Sequence, residues 1–225
     1  MRLLAIDAST WWGGAALLAA NGETVALVAE IGLQSEDSHA ARLLPAIEGL
    51  LASASWPKSS LDAYAAARGP GSFTGIRVAL GLLQGLAAAS GRPTVGVSTL
   101  AAMAEAHGPA SLPRVPLLDA GRGEVYGACF DPSGSPPTEL RPAWVGDPGL
   151  ALSAGVDVAL FGNGACLHEG RLREAGYRGV IGASATSVAA AIGRIALASL
   201  LRGTVDPSGT TPLYVRPADA EVKRR

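Results

Sequence analysis

Residues 68–77 read Arg68-Gly69-Pro70-Gly71-Ser72-Phe73-Thr74-Gly75-Ile76-Arg77, and they separate two apolar runs of different kinds. The run before them, residues 61–67, predicts a buried strand, and the Ala/Leu/Gly-rich run after them, residues 78–89, predicts a buried helix. The glycines allow a sharp turn of the backbone, and Ser72 or Thr74 can cap the helix. Such a turn can hold an anion on backbone N–H groups. It equally suits a tight connection without a ligand, and the Gly-Lys-Ser/Thr of a P-loop is absent.

Length and composition indicate a globular protein. The 225 residues are 48% hydrophobic and 16% charged, which is enough to build one large domain or two small ones. The formal net charge of −1 gives no global positive field and argues against direct nucleic-acid binding as the main role. The basic tail Lys223-Arg224-Arg225 is interpreted as a solvated end. Two cysteines, Cys129 and Cys166, lack metal spacing and are expected to be buried.

The hydrophobic runs are too short for export or membrane insertion. The apolar N-terminal run is interrupted at Asp7, before it reaches the length of a signal peptide. The run over residues 188–201 is shorter than a bilayer requires and contains Arg194. We therefore expect a cytoplasmic protein without a membrane segment.

The beginning of the chain is repeated near its middle. Residues 2–8 (RLLAIDA) resemble residues 114–120 (RVPLLDA), so that an apolar strand ends in Asp-Ala at Asp7 and again at Asp119. In both copies a second strand and a polar turn come next, which predicts two related α/β lobes with a cleft between them. We place the first lobe at residues 1–107, with residues 205–225 packing back on it. The second, smaller lobe is placed at residues 108–204.

Helical spacing predicts two helices in the first lobe, over about residues 38–53 and 74–90, with Ser38 as the cap of the first. Pro45 should either kink the first helix or mark its start. The second helix keeps glycines at positions 75, 81 and 85, each of which weakens a helix by about 1 kcal/mol relative to alanine. Close packing against the same fold or against a second subunit would explain them. Residues 108–113 and 132–148 are predicted to be loops.

These motifs together resemble the TsaB (YeaZ) family of bacterial tRNA threonylcarbamoyladenosine biosynthesis proteins. The resemblance covers nearly the whole chain. It rests on residues 4–10 (LAIDAST), 39–45 (HAARLLP), 68–77, 96–100 (GVSTL), 119–126 (DAGRGEVY) and 212–216 (PLYVR). It implies the two-lobed actin-like, sugar-kinase-like ATPase fold with duplicated βββαβα lobes, in agreement with the internal repeat. The family motif loop comprises Gly69, Pro70, Gly71, Ser72, Thr74, Gly75 and Arg77.

The resemblance also implies a role as a non-catalytic partner. Family members work with a larger paralogue, TsaD, and a small ATPase, TsaE, to attach threonylcarbamoyl to the adenosine beside the anticodon of tRNAs that read codons starting with A. A separate enzyme makes the adenylate donor, and tRNA would contact this chain only through the complex. The first two helices would pack on TsaD as a heterodimer, or on a second copy as a homodimer when TsaD is absent. Helical spacing selects the candidate contacts Leu43, Ile47, Ile76, Ala79, Leu82, Leu83 and Leu86.

Catalytic groups are not found in the sequence. The metal-binding His-x-x-x-His pair of the paralogue would fall at Thr99 and Met103, neither of which is a credible replacement for imidazole. The three histidines, His39, His107 and His168, show no metal spacing, and no Ser/His/Asp signature is found. We expect no catalytic residue, no metal site and no cofactor required by this chain. ATP and Mg²⁺ are expected, if anywhere, at the level of the complex.

A weak nucleotide site is the basis of the alternative interpretation. Actin-like folds hold phosphate and metal at the ends of the first strands, here Asp7 and Asp119, and at a glycine turn, here Gly162 and Gly164. Each aspartate could equally cap its own turn. The bulky pair Trp11-Trp12 would crowd a phosphate loop. The alternative function is a stand-alone ATP-dependent kinase or hydrolase that uses the cleft between the lobes.

Overall fold

The computed structural model describes residues 1–34, 40–153, 157–183, 187–205 and 210–216. The strands are β1 (Arg2–Asp7), β2 (Trp12–Asn21), β3 (Thr24–Gln34), β4 (Ala63–Gly69), β5 (Thr94–Ser98), β6 (Arg114–Gly121), β7 (Glu124–Phe130), β8 (Glu139–Gly146), β9 (Ala159–Phe161) and β10 (Ile181–Gly182). The helices are α1 (Ala40–Ser53), α2 (Phe73–Ser90), α3 (Thr99–His107), α4 (Asn163–Leu167), α5 (Glu169–Glu174) and α6 (Ala189–Leu201).

Two five-stranded sheets have the same strand order. The first is β3-β2-β1-β4-β5 and the second is β8-β7-β6-β9-β10. In each sheet the first three strands along the chain are antiparallel, and two parallel strands extend the other side of the first strand. This topology confirms the predicted duplication and the two-lobed actin-like fold.

Alternation along β1 gives the first sheet a core on each face. Leu4 and Ile6 point into the cluster formed with α1 and α2, whereas Leu3 and Ala5 point into the cluster formed with α3 and α6. The cluster formed with α3 and α6 continues into the other lobe through residues such as Phe130 and Phe161. The first sheet is therefore covered by helices on both faces, and the two lobes share part of one core.

Helix α6 lies against the first sheet although the prediction placed its residues in the second lobe. It contacts β1, β2 and β4, and a Cβ at Gly193 would lie 2.1 Å from a Leu18 methyl carbon. Residues 213–216 likewise contact both lobes. The boundary predicted between residues 107 and 108 falls between α3 and β6. The extents of the two lobes stay a prediction.

Several local predictions were wrong. The predicted loop over residues 132–148 contains β8, an edge strand in which Pro142 can be accommodated because one side of the strand is unpaired. The sequence left two possibilities for Pro45, and the structure has α1 running through it, so the possibility that the helix starts at Pro45 was wrong. Cys166 is exposed and Cys129 is half-buried. Ser38, His39 and Lys223–Arg225 lie outside the described residues.

Candidate functional site

The motif loop between β4 and α2 packs against the residues just after β1. The Ser72 hydroxyl accepts from the Gly75 N–H at 3.2 Å and so caps α2. The Ser72 N–H donates to the Ser9 carbonyl at 2.7 Å. Of the two predicted caps Ser72 is therefore the one used, and two backbone N–H groups of the turn already have partners within the fold.

Close approach of backbone segments explains the glycines of the loop. A Cβ at Gly75 would lie 1.8 Å from the Ala8 carbonyl oxygen, and one at Gly71 would lie 2.1 Å from the Ser9 carbonyl oxygen. Gly69 has a φ of +105° and would bring a Cβ within 2.9 Å of the Leu213 carbonyl oxygen. The geometry favours the tight-turn interpretation of this loop over the anion-binding one.

The inner face of α2 and α1 belongs to the core. Five of the seven candidate contacts are buried in the hydrophobic cluster that these helices form with the first sheet, and so they are not available to a partner. These five residues are Leu43, Ile47, Ile76, Ala79 and Leu83. Leu82 and Leu86 are partly buried at its margin. The choice of contacts therefore needs correction, because apolar residues at helical spacing first fill the core of their own fold.

The outer face of α2 is exposed and consists of small and mixed residues, namely Phe73, Arg77, Gly81, Gln84, Gly85 and Ala88. A Cβ at Gly81 or Gly85 would meet no heavy atom of the described chain within 4 Å. The described part of the fold therefore gives no reason for these two glycines. Helical spacing also places them on one stripe with Phe73 and Arg77, which the apolar pattern of the sequence did not select.

Helix α2 is unusually apolar for its exposure. Its 18 residues have a mean hydropathy of 1.3, and only five of them are buried. By length and composition it is the one described helix that could cross a membrane, a test that the core helices of soluble proteins also pass. Its inner residues pack on β4 and β1, so an apolar surface faces outwards from a helix that is anchored in the core.

The cleft between the lobes has a volume of about 260 Å³. It is lined by Asp7, Thr10, Trp11, Trp12, Met103, Leu118, Asn163, Ser187 and Val188. Asp7 is fully buried, and its Oδ1 accepts from the N–H and the hydroxyl of Ser9 at 2.8 and 2.6 Å. Lysine and arginine are absent from these described lining residues, while two indoles and a carboxylate are present. The described lining therefore offers no cationic side chain to the phosphates of a nucleotide.

Asp119, the second aspartate of the repeat, accepts a hydrogen bond within its own turn. Asp119 Oδ1 accepts from the Gly121 N–H at 3.1 Å and lies 3.6 Å from His168 Nε2, and the Asp119 N–H donates to Asn163 Oδ1 at 3.3 Å. A Cβ at Gly162 would lie 2.5 Å from the Leu117 carbonyl oxygen, and one at Gly164 would lie 2.8 Å from the Leu118 carbonyl carbon. The structure thus brings Asp7 and Asn163 to one cleft, whereas Asp119 is not among its lining residues.

The positions matched to the paralogue's metal pair do not form a ligand pair. Thr99 is fully buried at the start of α3, and Met103 lines the cleft. Groups of three or more His, Cys, Asp or Glu side chains that could hold a metal do not occur among the described residues.

A buried arginine at the lobe junction was missed. Arg114 is 1% exposed and donates to the carbonyls of Asp131, Ala104, Gly108 and Gly134 at 2.7–3.1 Å. Its guanidinium ties the end of α3 to the connection after β7. The repeat aligned Arg114 with the half-buried Arg2, so the sequence carried no signal for this network.

Comparisons with known proteins agree with this geometry. A family model described as TsaD, tRNA N6-adenosine threonylcarbamoyltransferase, matches residues 33–134. The chain is 38% identical over 130 residues to the tRNA threonylcarbamoyladenosine biosynthesis protein TsaB of Haemophilus influenzae. That match covers 56% of this chain and 52% of the relative, so the chain spans about half the length of that protein.

Two further similarities extend over nearly the whole chain. The Bacillus subtilis protein of the same name is 28% identical over 232 residues, covering 99% of this chain and 97% of that protein. The solved structure of YeaZ from Pseudomonas aeruginosa superposes with a TM-score of 0.75 at 30% identity, covering 95% of this chain and 99% of that one.

Proposed function

The chain belongs to the TsaB (YeaZ) family of tRNA threonylcarbamoyladenosine biosynthesis proteins, and we propose that it is a non-catalytic accessory subunit of that pathway. In this proposal it works with TsaD and TsaE in the transfer of threonylcarbamoyl to the adenosine beside the anticodon of tRNAs that read codons starting with A. It acts in the cytoplasm and meets tRNA only through the assembled complex.

The proposal rests mainly on the exposed glycines of the outer face of α2. This apolar helix keeps Gly81 and Gly85 at exposed positions where the described fold leaves open space, although glycine costs a helix about 1 kcal/mol relative to alanine. Small residues let the backbone of a second helix approach closely. Docking of a partner helix gives these glycines a physical reason.

The residues proposed to contact the partner are exposed ones, and they replace the buried residues that helical spacing selected. TsaD covers the outer face of α2 together with the exposed Leu44 and Gly49 of α1, and a second copy of the chain covers it when TsaD is absent. A substitution such as Ala79→Arg would therefore not test this interface. Ala79 is fully buried, so the substitution would place a charge in the core and unfold the protein.

The cleft supports the accessory role better than the alternative of a kinase or hydrolase. Asp7 already accepts two hydrogen bonds from Ser9, and the described lining supplies indoles in place of cations for a triphosphate. Catalysis of phosphoryl transfer depends on positive groups around the transferred phosphate. In this proposal ATP and Mg²⁺ enter with the complex, and this chain requires neither.

Reconstitution tests the proposal. Purified TsaD, TsaE, tRNA, ATP and the threonylcarbamoyl adenylate donor are combined with and without this chain, and the modified adenosine is measured by mass spectrometry of digested tRNA. We expect the product only when the chain is present, and no ATP turnover by the chain alone. Equal product without the chain, or ATP turnover that Asp7→Ala abolishes, would overturn the accessory role.

A further inference from the structure

Residues 213–216 connect the two lobes within four residues, and we term them the clasp. At one end the Leu213 N–H donates to the Arg68 carbonyl at 2.7 Å, at the end of β4. At the other end Arg216 donates to the Ala120 carbonyl at 3.0 Å and to Glu124 Oε2 at 2.5 Å, around the turn between β6 and β7. The clasp therefore joins the motif loop of the first lobe to the first hairpin of the second lobe.

The first-lobe end of the clasp is built on α2. The Tyr214 ring stacks on the Phe73 ring with centroids 5.8 Å apart, and its hydroxyl accepts from Arg77 Nε at 3.2 Å. The Arg77 guanidinium lies 3.9 Å from the centroid of the Phe73 ring, close enough for a cation–π contact. Phe73 and Arg77 belong to the outer face of α2, so Tyr214 extends that face at its N-terminal end.

The aromatic rings at this end stay accessible. Phe73 is 55% exposed and Tyr214 is 50% exposed, although each ring already packs on the other. A partner that covers the outer face of α2 as far as its first turn therefore also contacts Tyr214. Such a contact would bury more of both rings when the clasp is in place than when it is displaced.

The second-lobe end is an ion pair supported by a carbonyl. The Arg216 side chain is three-quarters buried, lies on the Tyr126 ring at 5.8 Å from its centroid, and pairs with Glu124. Arg216 and its partners Ala120 and Glu124 are not residues of the outer face of α2. A substitution at Arg216 therefore removes the second-lobe contacts of the clasp and leaves every α2 residue of the proposed docking face unchanged.

We propose that the clasp is a conformational device that couples the junction of the lobes to partner docking on α2. This inference rests on the proposed function, because the partner is taken to be TsaD. When the clasp is closed, Tyr214 completes the docking face, so partner binding favours the closed state. By thermodynamic linkage the closed clasp must strengthen partner binding by the same factor.

Hydrogen exchange of the full-length chain without any partner tests the closed clasp. We compare the wild type with Arg216→Ala and with Arg202→Ala, a matched control at an exposed arginine just after α6. Arg216→Ala should speed exchange of the Leu213 amide by about tenfold, because local opening of the segment becomes easier. The control should exchange as the wild type does. Equal protection of Leu213 in all three proteins would overturn the clasp.

Affinity for purified TsaD tests the coupling. Arg216→Ala and Glu124→Gln should each weaken binding about fivefold, and the double variant should be no weaker than either single one, because both open the same contact. Wild-type affinity in both variants together with faster exchange at Leu213 would overturn the coupling. A wild-type chain that does not bind TsaD would contradict the proposed function, whereas the exchange experiment would still decide whether the clasp exists.

Discussion

The two lobes share one strand order but differ in the helices that come after the fourth strand. In the first lobe β4 leads into α2, a single helix of 18 residues. In the second lobe β9 leads into α4 and α5, helices of five and six residues. The repeat thus preserves the sheet that positions these helices, while the helices themselves have diverged.

The connection into the helix is built in the same way in both lobes. Gly75 brings the start of α2 against the Ala8 carbonyl, and Gly164 brings the start of α4 against the backbone between Leu118 and Asp119. In each case a helix crosses close to the end of the first strand of its sheet. The shared glycines therefore serve backbone approach, which is needed with or without a ligand.

The exposed sides of these helices differ in chemistry. On α5, Arg173 pairs with Glu169, and Arg171 pairs with Asp147. The outer face of α2 carries glycines, an alanine and an exposed phenylalanine with Arg77 as its only charge among the six residues. Charged side chains suit a face turned towards water, whereas small residues suit a packed one, and for this reason the docking face that we propose lies on the first lobe.

The largest effect is expected at the backbone approach in the first lobe. Gly75→Ala places a Cβ 1.8 Å from the Ala8 carbonyl oxygen, and the start of α2 must shift to relieve the overlap. We expect a loss of about 3 kcal/mol in the free energy of unfolding, measured by urea denaturation.

Gly81→Ala on the same helix is the matched control. Its Cβ meets open space, and helix propensity should raise stability by up to about 1 kcal/mol. Equal stability of the two variants would contradict the close approach.

The second effect separates the two lobes as docking surfaces. Gly81→Arg should weaken TsaD binding about thirtyfold or more, equivalent to about 2 kcal/mol, because a long charged side chain holds the partner helix away. Gly170→Arg on α5 is the matched control, since its Cβ also meets open space. Binding is measured by calorimetry, and circular dichroism checks that both variants are folded. If Gly170→Arg weakens binding as much as Gly81→Arg does, the docking face is not confined to the first lobe.

A smaller loss is expected at the equivalent approach in the second lobe. Gly164→Ala places a Cβ 2.8–2.9 Å from three backbone atoms, a milder overlap than that at Gly75. Because α4 has only five residues, it can shift more easily than α2. We expect a loss of about 1–2 kcal/mol in the same urea experiment. A loss larger than that of Gly75→Ala would mean that the two connections are not equivalent.

The sequence predicted the sheets better than the surfaces. The strands β1 and β6 were found because each is an apolar run that ends in Asp-Ala, a local pattern that survives duplication. β8 was missed because Pro142 and the neighbouring glycines have the composition of a loop. A proline does not exclude a strand at the edge of a sheet, because the N–H groups on the outer side of an edge strand have no neighbouring strand to pair with.

The candidate site was predicted only in part, for two physical reasons. The apolar spacing that marked Ile76 and Ala79 describes a buried face, and it does not say whether the neighbouring chain is the same molecule or a partner. The clasp contacts join residues 137 and 92 positions apart in the chain, Arg77 with Tyr214 and Arg216 with Glu124. Local patterns carry no information about such distant pairs.

The smallest effect concerns the hairpin after the second strand of each lobe. In the first lobe β2 and β3 are joined through Gly22, whose φ of +58° suits glycine. In the second lobe the longer connection is held by Asp131, which accepts from the N–H groups of Gly134 and Thr138, both at 2.7 Å, and from Arg114 at 3.3 Å. Partial burial raises the pKa of Asp131, but these hydrogen bonds and the Arg114 charge outweigh it and hold the pKa below its usual value.

This lowered pKa makes the second hairpin sensitive to acid. A carboxyl with a lowered folded-state pKa contributes stability above its unfolded pKa, about 3.9 for aspartate, and loses that contribution as the pH falls through the folded-state pKa. Asp131→Asn should therefore reduce stability by less than about 1 kcal/mol at pH 7, and the difference from wild type should shrink between about pH 5 and pH 2. Urea unfolding at several pH values measures it. Asp62→Asn in the first lobe is the control, because the Asp62 carboxylate accepts from one backbone N–H of the described chain, that of Arg2, on its Oδ2. A difference between Asp131→Asn and wild type that is independent of pH would show that the second hairpin, like the first, is held by backbone conformation.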